Sequence, residues 1–285
     1  MKKPNIKTLI GRTDIVDFPK LELFGIDIKV DSGAYTSSFH CHHIEVENEV
    51  LKCQFLDPKH EKYHEKYFYF KEFIQKNVKS SNGSIENRFI IETEILIFNE
   101  FGIVSHEILT GKVIKSYQHK TRYGINAAQP MLYGDRILIS SAYGKGAALV
   151  DFTKRVPTAI WESESFSCQM ASLVKKGQYG FGIHGQAGGR SAQSKLFCID
   201  LATGKEKWSE KGFGLGTVLL VRDTLVILSD RGELCLAEAN NRQFIELARF
   251  QVLSGKNNWT PPTYLNGKMH CRNSKGNWVC LKMGE

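Results

Sequence analysis

The sequence predicts an all-β chain in two regions, a small amino-terminal unit over residues 1–108 and a four-repeat β-propeller over residues 109–285. Three observations carry this. Tyr, Phe, Ile and Val gather in short runs between many Gly and few Pro, a composition that suits strands. In the first region these runs alternate apolar with polar residues and break at turn signals. In the second region a single grammar recurs: Gly134-Asp135-Arg136-Ile137, Gly177-Gln178-Tyr179, Arg222-Asp223-Thr224-Leu225 and Asn266-Gly267-Lys268-Met269. The strand starts at 137, 179, 225 and 269 lie 42, 46 and 44 residues apart. That period belongs to propeller blades of four strands.

In chain order, Ile26, Ile28 and Val30 alternate toward one face and lead into Asp31-Ser32-Gly33. Ile44 to Cys53 reads as a hairpin turning at Glu47-Asn48. Tyr67-Phe68-Tyr69-Phe70 reads as a short aromatic strand. Lys76 to Asn87, with Ser80, Ser81, Asn82, Gly83 and Ser84, reads as a polar loop. Arg88 to Phe98 is the longest strand expected, too β-branched for an easy helix.

Asp31, Ser32 and Gly33 are the candidate catalytic residues. Gly33 allows close backbone approach to the carboxylate and Ser32 offers a hydroxyl to orient it. Half an aspartic-peptidase site needs this much; two such carboxylates must meet and share one proton to activate a water. The runs Ile10-Gly11-Arg12 to Asp17-Phe18-Pro19 and Ile28 to His40, with Glu86 and Arg88, resemble the retropepsin-like family labelled ATP-dependent zinc proteases, over roughly residues 8 to 98. The resemblance implies a small β-barrel peptidase, Asp31 as its aspartate, a peptide or protein substrate, and a homodimer formed through this domain. Where that family has a Gly-Arg pair this chain reads Ile108-Leu109-Thr110-Gly111-Lys112, so the barrel is expected to be incomplete.

In the second region, Ala147 to Asp151, Leu196 to Asp200, Glu233 to Ala237 and Trp278 to Leu281 are the matching downstream strands. Asp200-Leu201-Ala202-Thr203-Gly204-Lys205 leads to Trp208, a turn followed by an aromatic that packs between blades. With Trp259-Thr260-Pro261-Pro262 this resembles the quinoprotein alcohol-dehydrogenase-like propeller superfamily, over roughly residues 109 to 283. No adjacent Cys pair or carboxylate cluster accompanies it, so no quinone or other cofactor is expected. Gly180 to Arg190 lacks the Lys-Ser/Thr of a phosphate loop and reads as a long hairpin loop. Residues 109 to 117 share the grammar of Ala202 to Trp208 and are expected to pair as the outer strand of the last blade.

Charge is split: residues 1–110 hold 14 Lys+Arg against 17 Asp+Glu, and the rest hold 24 against 13, giving net −3 and +11. The basic residues are dispersed over turns and no nucleic-acid motif is present, so no nucleic-acid partner is expected. Seven cysteines without a framework suggest free thiols in the cytoplasm, and no run reaches the roughly 20 apolar residues of a membrane span. His40, Cys41, His42 and His43 alternate between faces and His60 and His64 have no Cys-x-x-Cys beside them, so no metal site is expected. Three readings compete: a peptidase-like domain fused to a partner- or substrate-binding propeller, a non-catalytic binding scaffold, and a quinone-dependent oxidoreductase.

Overall fold

The computed structural model describes residues 13–29, 38–79, 85–99, 102–107, 112–188 and 193–283. The chain divides into two compact units, Met1–Asn99 with Ile103–Ser116, and Glu100–Gly102 with Tyr117–Glu285. Among the described residues the structure is all-β, and the first unit also holds the 3-10 segment Pro19–Leu21. No helix there is long and apolar enough to cross a membrane.

The first unit starts with the antiparallel pair β1 (Thr13–Phe18) and β2 (Leu23–Lys29). A second hairpin joins β3 (Cys41–Glu47) to β4 (Val50–Phe55), and β5 (Phe68–Phe70) completes that three-stranded sheet. Its turn residues Asn48 and Glu49 have φ of 49° and 63°, the left-handed pair a two-residue hairpin needs. β6 (Ile74–Lys79) pairs with β7 (Ile85–Ile90). Then β8 (Glu94–Asn99), β9 (Gly102–Glu107) and β10 (Val113–Gln118) join β1 and β2 in a sheet ordered β10-β9-β8-β1-β2. Phe18, Leu21, Leu23, Leu51 and Phe55 form the core, with Phe39 edge-on to both Phe18 and Phe55.

Three expectations fail in this unit or at its end. The polar loop expected over Lys76 to Asn87 is instead largely the paired β6–β7 hairpin, in which Ile74 lies opposite Ile90, Lys76 opposite Arg88 and Val78 opposite Glu86; residues 80–84 lie outside the described residues. A ladder in register satisfies these backbones although most of their side chains are polar. The long strand Arg88 to Phe98 breaks at Ile91-Glu92-Thr93, since its halves pair with different partners, β6 and β1. Residues 113–118 are β10, hydrogen-bonded in the sheet beside β9, and do not complete the last blade. Residues 109–111 lie outside the described residues, and the threonine-glycine grammar carries no information about which sheet receives the strand that follows it.

The second unit contains the repeats. Blade one is β11 (Met131–Tyr133), β12 (Arg136–Ser141), β13 (Gly146–Asp151) and β14 (Thr158–Ser163). Blade two is β15 (Val174–Lys176), β16 (Tyr179–His184), β17 (Lys195–Asp200) and β18 (Glu206–Glu210). Blade three is β19 (Thr217–Val221), β20 (Thr224–Leu228), β21 (Glu233–Glu238) and β22 (Glu246–Gln251). Blade four has three strands, β23 (Thr263–Leu265), β24 (Lys268–Arg272) and β25 (Trp278–Lys282). Each blade is an antiparallel meander, and in the first three the middle strands are buried on both faces, so they read as continuous apolar runs.

Blades are joined by their facing side chains. Leu138 and Leu149 meet Phe197 and Ile199; Phe181 and Cys198 meet Leu225 and Ala237; Val226 and Leu234 meet Met269 and Cys271. Trp161 on β14 donates its indole N–H to Leu201 O (2.9 Å), and Trp208 on β18 repeats the bond to Asn240 O (2.9 Å). Each tryptophan therefore satisfies the turn of the following blade while burying its ring. Gly204 is required by the first of these docks: its φ is +69° and an added Cβ would stand 2.6 Å from the Trp161 ring. Blade three carries Ala248 opposite Leu236, where Trp161 and Trp208 stand opposite Leu149 and Cys198.

Candidate binding face

Asp31, Ser32 and Gly33 lie outside the described residues. β2 leads toward them, with Ile26 buried and Ile28 half-buried. Beyond them, Arg88 on β7 donates to Ser38 Oγ (3.0 Å) and to Glu86 Oε2 from Nε (3.1 Å) and Nη2 (2.8 Å). The structure thus joins Ser38 to a pair that the sequence places about 50 positions away. On β1, Asp17 is half-buried and accepts the Gly25 N–H at 2.7 Å; burial raises its pKa and this bond offsets some of the rise.

The histidines and cysteines of this unit do not converge. A bulge at His42 shifts the register so that Cys41 faces Phe55 and Ile44 faces Cys53. The Cys53 thiol bonds to Cys41, which raises Cys53 and lowers Cys41 from the ordinary thiol range. His42 and His43 lie edge-on to Tyr63 and Tyr67. Among the described residues no three His, Cys, Asp or Glu side chains form a group able to hold a metal. Buried thiols of the blades are pushed up by desolvation, Cys168 and Cys198 to about 12. They fill space as small hydrophobes and are poor nucleophiles.

A better-built site lies in the second unit, at the end of the blades where the loops between second and third strands meet the links between blades. Two facts of topology place these loops together: each blade is a meander, and successive blades stack side by side. Side-chain amides stitch them. Tyr143 N donates to Gln186 Oε1 (2.9 Å), Gln169 Nε2 donates to Tyr143 Oη (2.7 Å), and Ala187 N donates to Gln169 Oε1 (2.6 Å). Asp230 N donates to Phe213 O, and the Asn258 side chain donates to Asp230 O (3.0 Å).

Between these loops opens a cavity of about 320 Å³, lined by Gly188, Leu215, Asp230, Arg231, Lys256 and Trp259 among others. The Asp230 carboxylate is fixed by Leu215 N–H (3.2 Å), and it fits because Gly214 (φ +57°) has no Cβ, which would stand 2.2 Å from Oδ2. Arg231 and Lys256 extend into solvent on the same rim. The indole N–H of Trp259 is buried and has no acceptor among the described residues, and the same absence of a partner holds for Asn258 Oδ1 and Thr217 Oγ1. Buried polar atoms without partners carry a cost of about 1–3 kcal/mol each.

A second cavity, of about 470 Å³, lies at the other end of blade one against Asp135, Arg136, Asp151 and Thr153. There Asp151 accepts the Thr153 hydroxyl (2.6 Å) and N–H (3.0 Å), which holds its carboxyl below the usual range. At the same register of blade two, Asp200 likewise accepts the N–H and hydroxyl of a threonine, here Thr203 three residues on (both bonds 3.0 Å), so a carboxylate at this register fixes the turn that follows it in both blades.

No family model matches the chain, and no curated protein matches it. Solved structures do. Sqt1 of Saccharomyces cerevisiae is similar at 10% identity with a TM-score of 0.52, over 83% of this chain and 66% of that one. BamB from Moraxella catarrhalis gives 13% identity and 0.47 over 87% and 75%; the computationally designed Ika8 protein gives 9% and 0.42 over 92% and 88%. The likeness is one of fold. The second unit is β-propeller-like, and the chain spans just under two thirds of Sqt1.

Sequence reasoning missed the cavity because its lining comes from four separate loops. Trp259 was legible within a linker motif; its orphaned indole N–H was not.

Proposed function

We propose that the protein is a binding scaffold whose propeller takes a peptide or protein partner on its loop face, with an acidic side chain of that partner seated between Arg231 and Lys256. The observation that carries this is the cavity at Asp230, where two cations, a fixed carboxylate and the Trp259 side chain line a polar recess on a rigid frame. Arg231 and Lys256 attract a carboxylate at the exposed rim, an attraction that salt screens, and the Trp259 side chain walls the recess beside them.

Titration with a hexaglutamate peptide, followed by tryptophan emission, is expected to show saturable, salt-sensitive binding. Arg231→Glu with Lys256→Glu should weaken it at least tenfold, and Trp259→Phe should remove the emission change. Equal binding by the double variant would reject the site.

The second reading is that the first unit is a retropepsin-like peptidase working as a homodimer, cytoplasmic, and without zinc or quinone. What supports it is the Ser38–Arg88–Glu86 cluster, formed by residues of the blocks on which the resemblance rests. Asp31→Asn is then expected to abolish acid-favoured peptide cleavage with no change in thermal unfolding. Cleavage by the variant, or by a strict monomer, would dismiss it.

A further inference from the structure

The far face of blade four differs from the corresponding face of every other blade. Aligned on their first hairpins, His270 stands where the other blades have Leu138, Phe181 and Val226, and Arg272 stands where they have Ser140, Ile183 and Leu228. Trp278 replaces Ala147, Leu196 and Leu234; Cys280 replaces Leu149, Cys198 and Leu236. In blades one to three this face packs against the next blade. In blade four Arg272, Trp278 and Cys280 are exposed, Trp278 to 62%. Met269 and Cys271, on the opposite face of β24, remain buried against blade three. The apolar character of this face thus stops at blade four.

The face is more than polar. Lys268 lies directly opposite Lys282, at a register position where the other blades oppose Arg136 to Asp151, Tyr179 to Asp200 and Thr224 to Glu238. An acidic residue in three blades has become a lysine in the fourth, and like charges directly opposite on a sheet are destabilising unless an anion lies between them. Arg272 lies at the other end of β24, about 13 Å away at the ordinary rise of a strand. Between these cations the Trp278 and His270 rings stack, with centroids 5.6 Å apart and planes within 11°. Alternation puts Lys268, His270, Arg272, Trp278, Cys280 and Lys282 on one surface, and none of the six is a carboxylate.

We propose that this sheet face binds single-stranded nucleic acid. A base stacks on Trp278, whose ring His270 holds flat, and the flanking phosphates meet Lys268 and Lys282 on one side and Arg272 on the other. Charge alone would suit any polyanion; an exposed aromatic ring between two cationic ends selects a polyanion that carries π faces. Recognition rests on stacking and phosphate charge, so little sequence preference is expected.

The test is fluorescence anisotropy of a fluorescein-labelled twelve-nucleotide oligouridylate with the full chain. Three phosphate contacts predict an affinity loss of roughly twentyfold between 50 and 200 mM salt, from a slope of about −0.7 per contact on single strands. Trp278→Ala should weaken binding about tenfold and Trp278→Phe should restore most of it, since stacking on an exposed ring is what is lost. Lys268→Glu with Arg272→Glu should abolish binding. Circular dichroism checks folding, and all three side chains are exposed. Arg231→Glu on the loop face should leave oligouridylate binding unchanged, which keeps this outcome separate from that of the peptide site. No binding at 50 mM salt, indifference to Trp278→Ala, or an equal loss in Arg231→Glu would overturn the proposal. So would displacement of the oligonucleotide from this face by hexaglutamate at equal charge concentration, which would assign the surface to an acidic protein segment.

Discussion

Trp208→Ala is expected to destabilise the second unit by about 3–5 kcal/mol, enough to lower its melting temperature by roughly 10 °C. Trp208 is 9% exposed and lies between Phe181 at 5.9 Å and Phe244 at 6.0 Å, ring centre to ring centre. Truncation removes that burial and leaves a cavity between blades two and three that their sheets cannot close, because both are fixed by their own ladders. It also strips Asn240 O of its indole donor. Trp208→Phe separates the two effects: the ring volume is largely kept, the hydrogen bond is lost, and the expected cost drops to about 1–2 kcal/mol. Trp161→Ala should be milder, since that ring is only half-buried. Chemical denaturation read by circular dichroism measures all three. A loss below about 1 kcal/mol for Trp208→Ala would mean that the blades are held by their strand contacts alone, as blade three already manages with Ala248.

Acidification is expected to weaken the second unit by about 3 kcal/mol between pH 6.5 and pH 4, through His119. This residue is 1% exposed; burial first and the charge of Lys145 second pull its pKa from 6.5 down to about 4, with Glu162 opposing. The folded state therefore excludes a proton that the unfolded chain binds. Stability is full above about pH 6.5 and falls as the pH drops toward 4, at about 1.36 kcal/mol per unit of pKa difference. His184 acts in the same direction, its pKa lowered by burial and by Lys195. Carboxylates with lowered pKa, such as Glu206 beside Lys195, contribute their loss further down, as the pH falls below the ordinary carboxylate range. Denaturation midpoints of the wild type and His119→Gln at about pH 7.5, above this titration, and about pH 4.5, near its lower end, decide it: the variant should lose much of the pH dependence. An unchanged dependence would show that the proton goes elsewhere. If the first unit is an acid-dependent peptidase, it would have to work where its own propeller is weakest, so the two measurements constrain each other.

The all-β class, the four repeats, and the hairpins at Asn48, Gly134, Gly177, Asp223 and Gly267 are legible in the residues alone. All of these depend on local chemistry: alternation sets the faces of a strand, and a turn needs residues that accept its φ. The Asp200–Gly204 turn and the interblade role of Trp208 were legible for the same reason. Asp31, Ser32 and Gly33 form a local motif and lie outside the described residues. Which strand pairs with which is visible only in the folded chain. β10 carries the turn grammar of a blade but is hydrogen-bonded beside β9, and Arg88 to Phe98 is split between two sheets, because strand pairing is a long-range contact that no spacing encodes. The basic residues showed as dispersed along the chain; Lys268, Arg272 and Lys282 became one surface only once β24 and β25 were placed in register. Asp230, Arg231, Lys256 and Trp259 likewise meet only where separate loops converge on the same end of the stack.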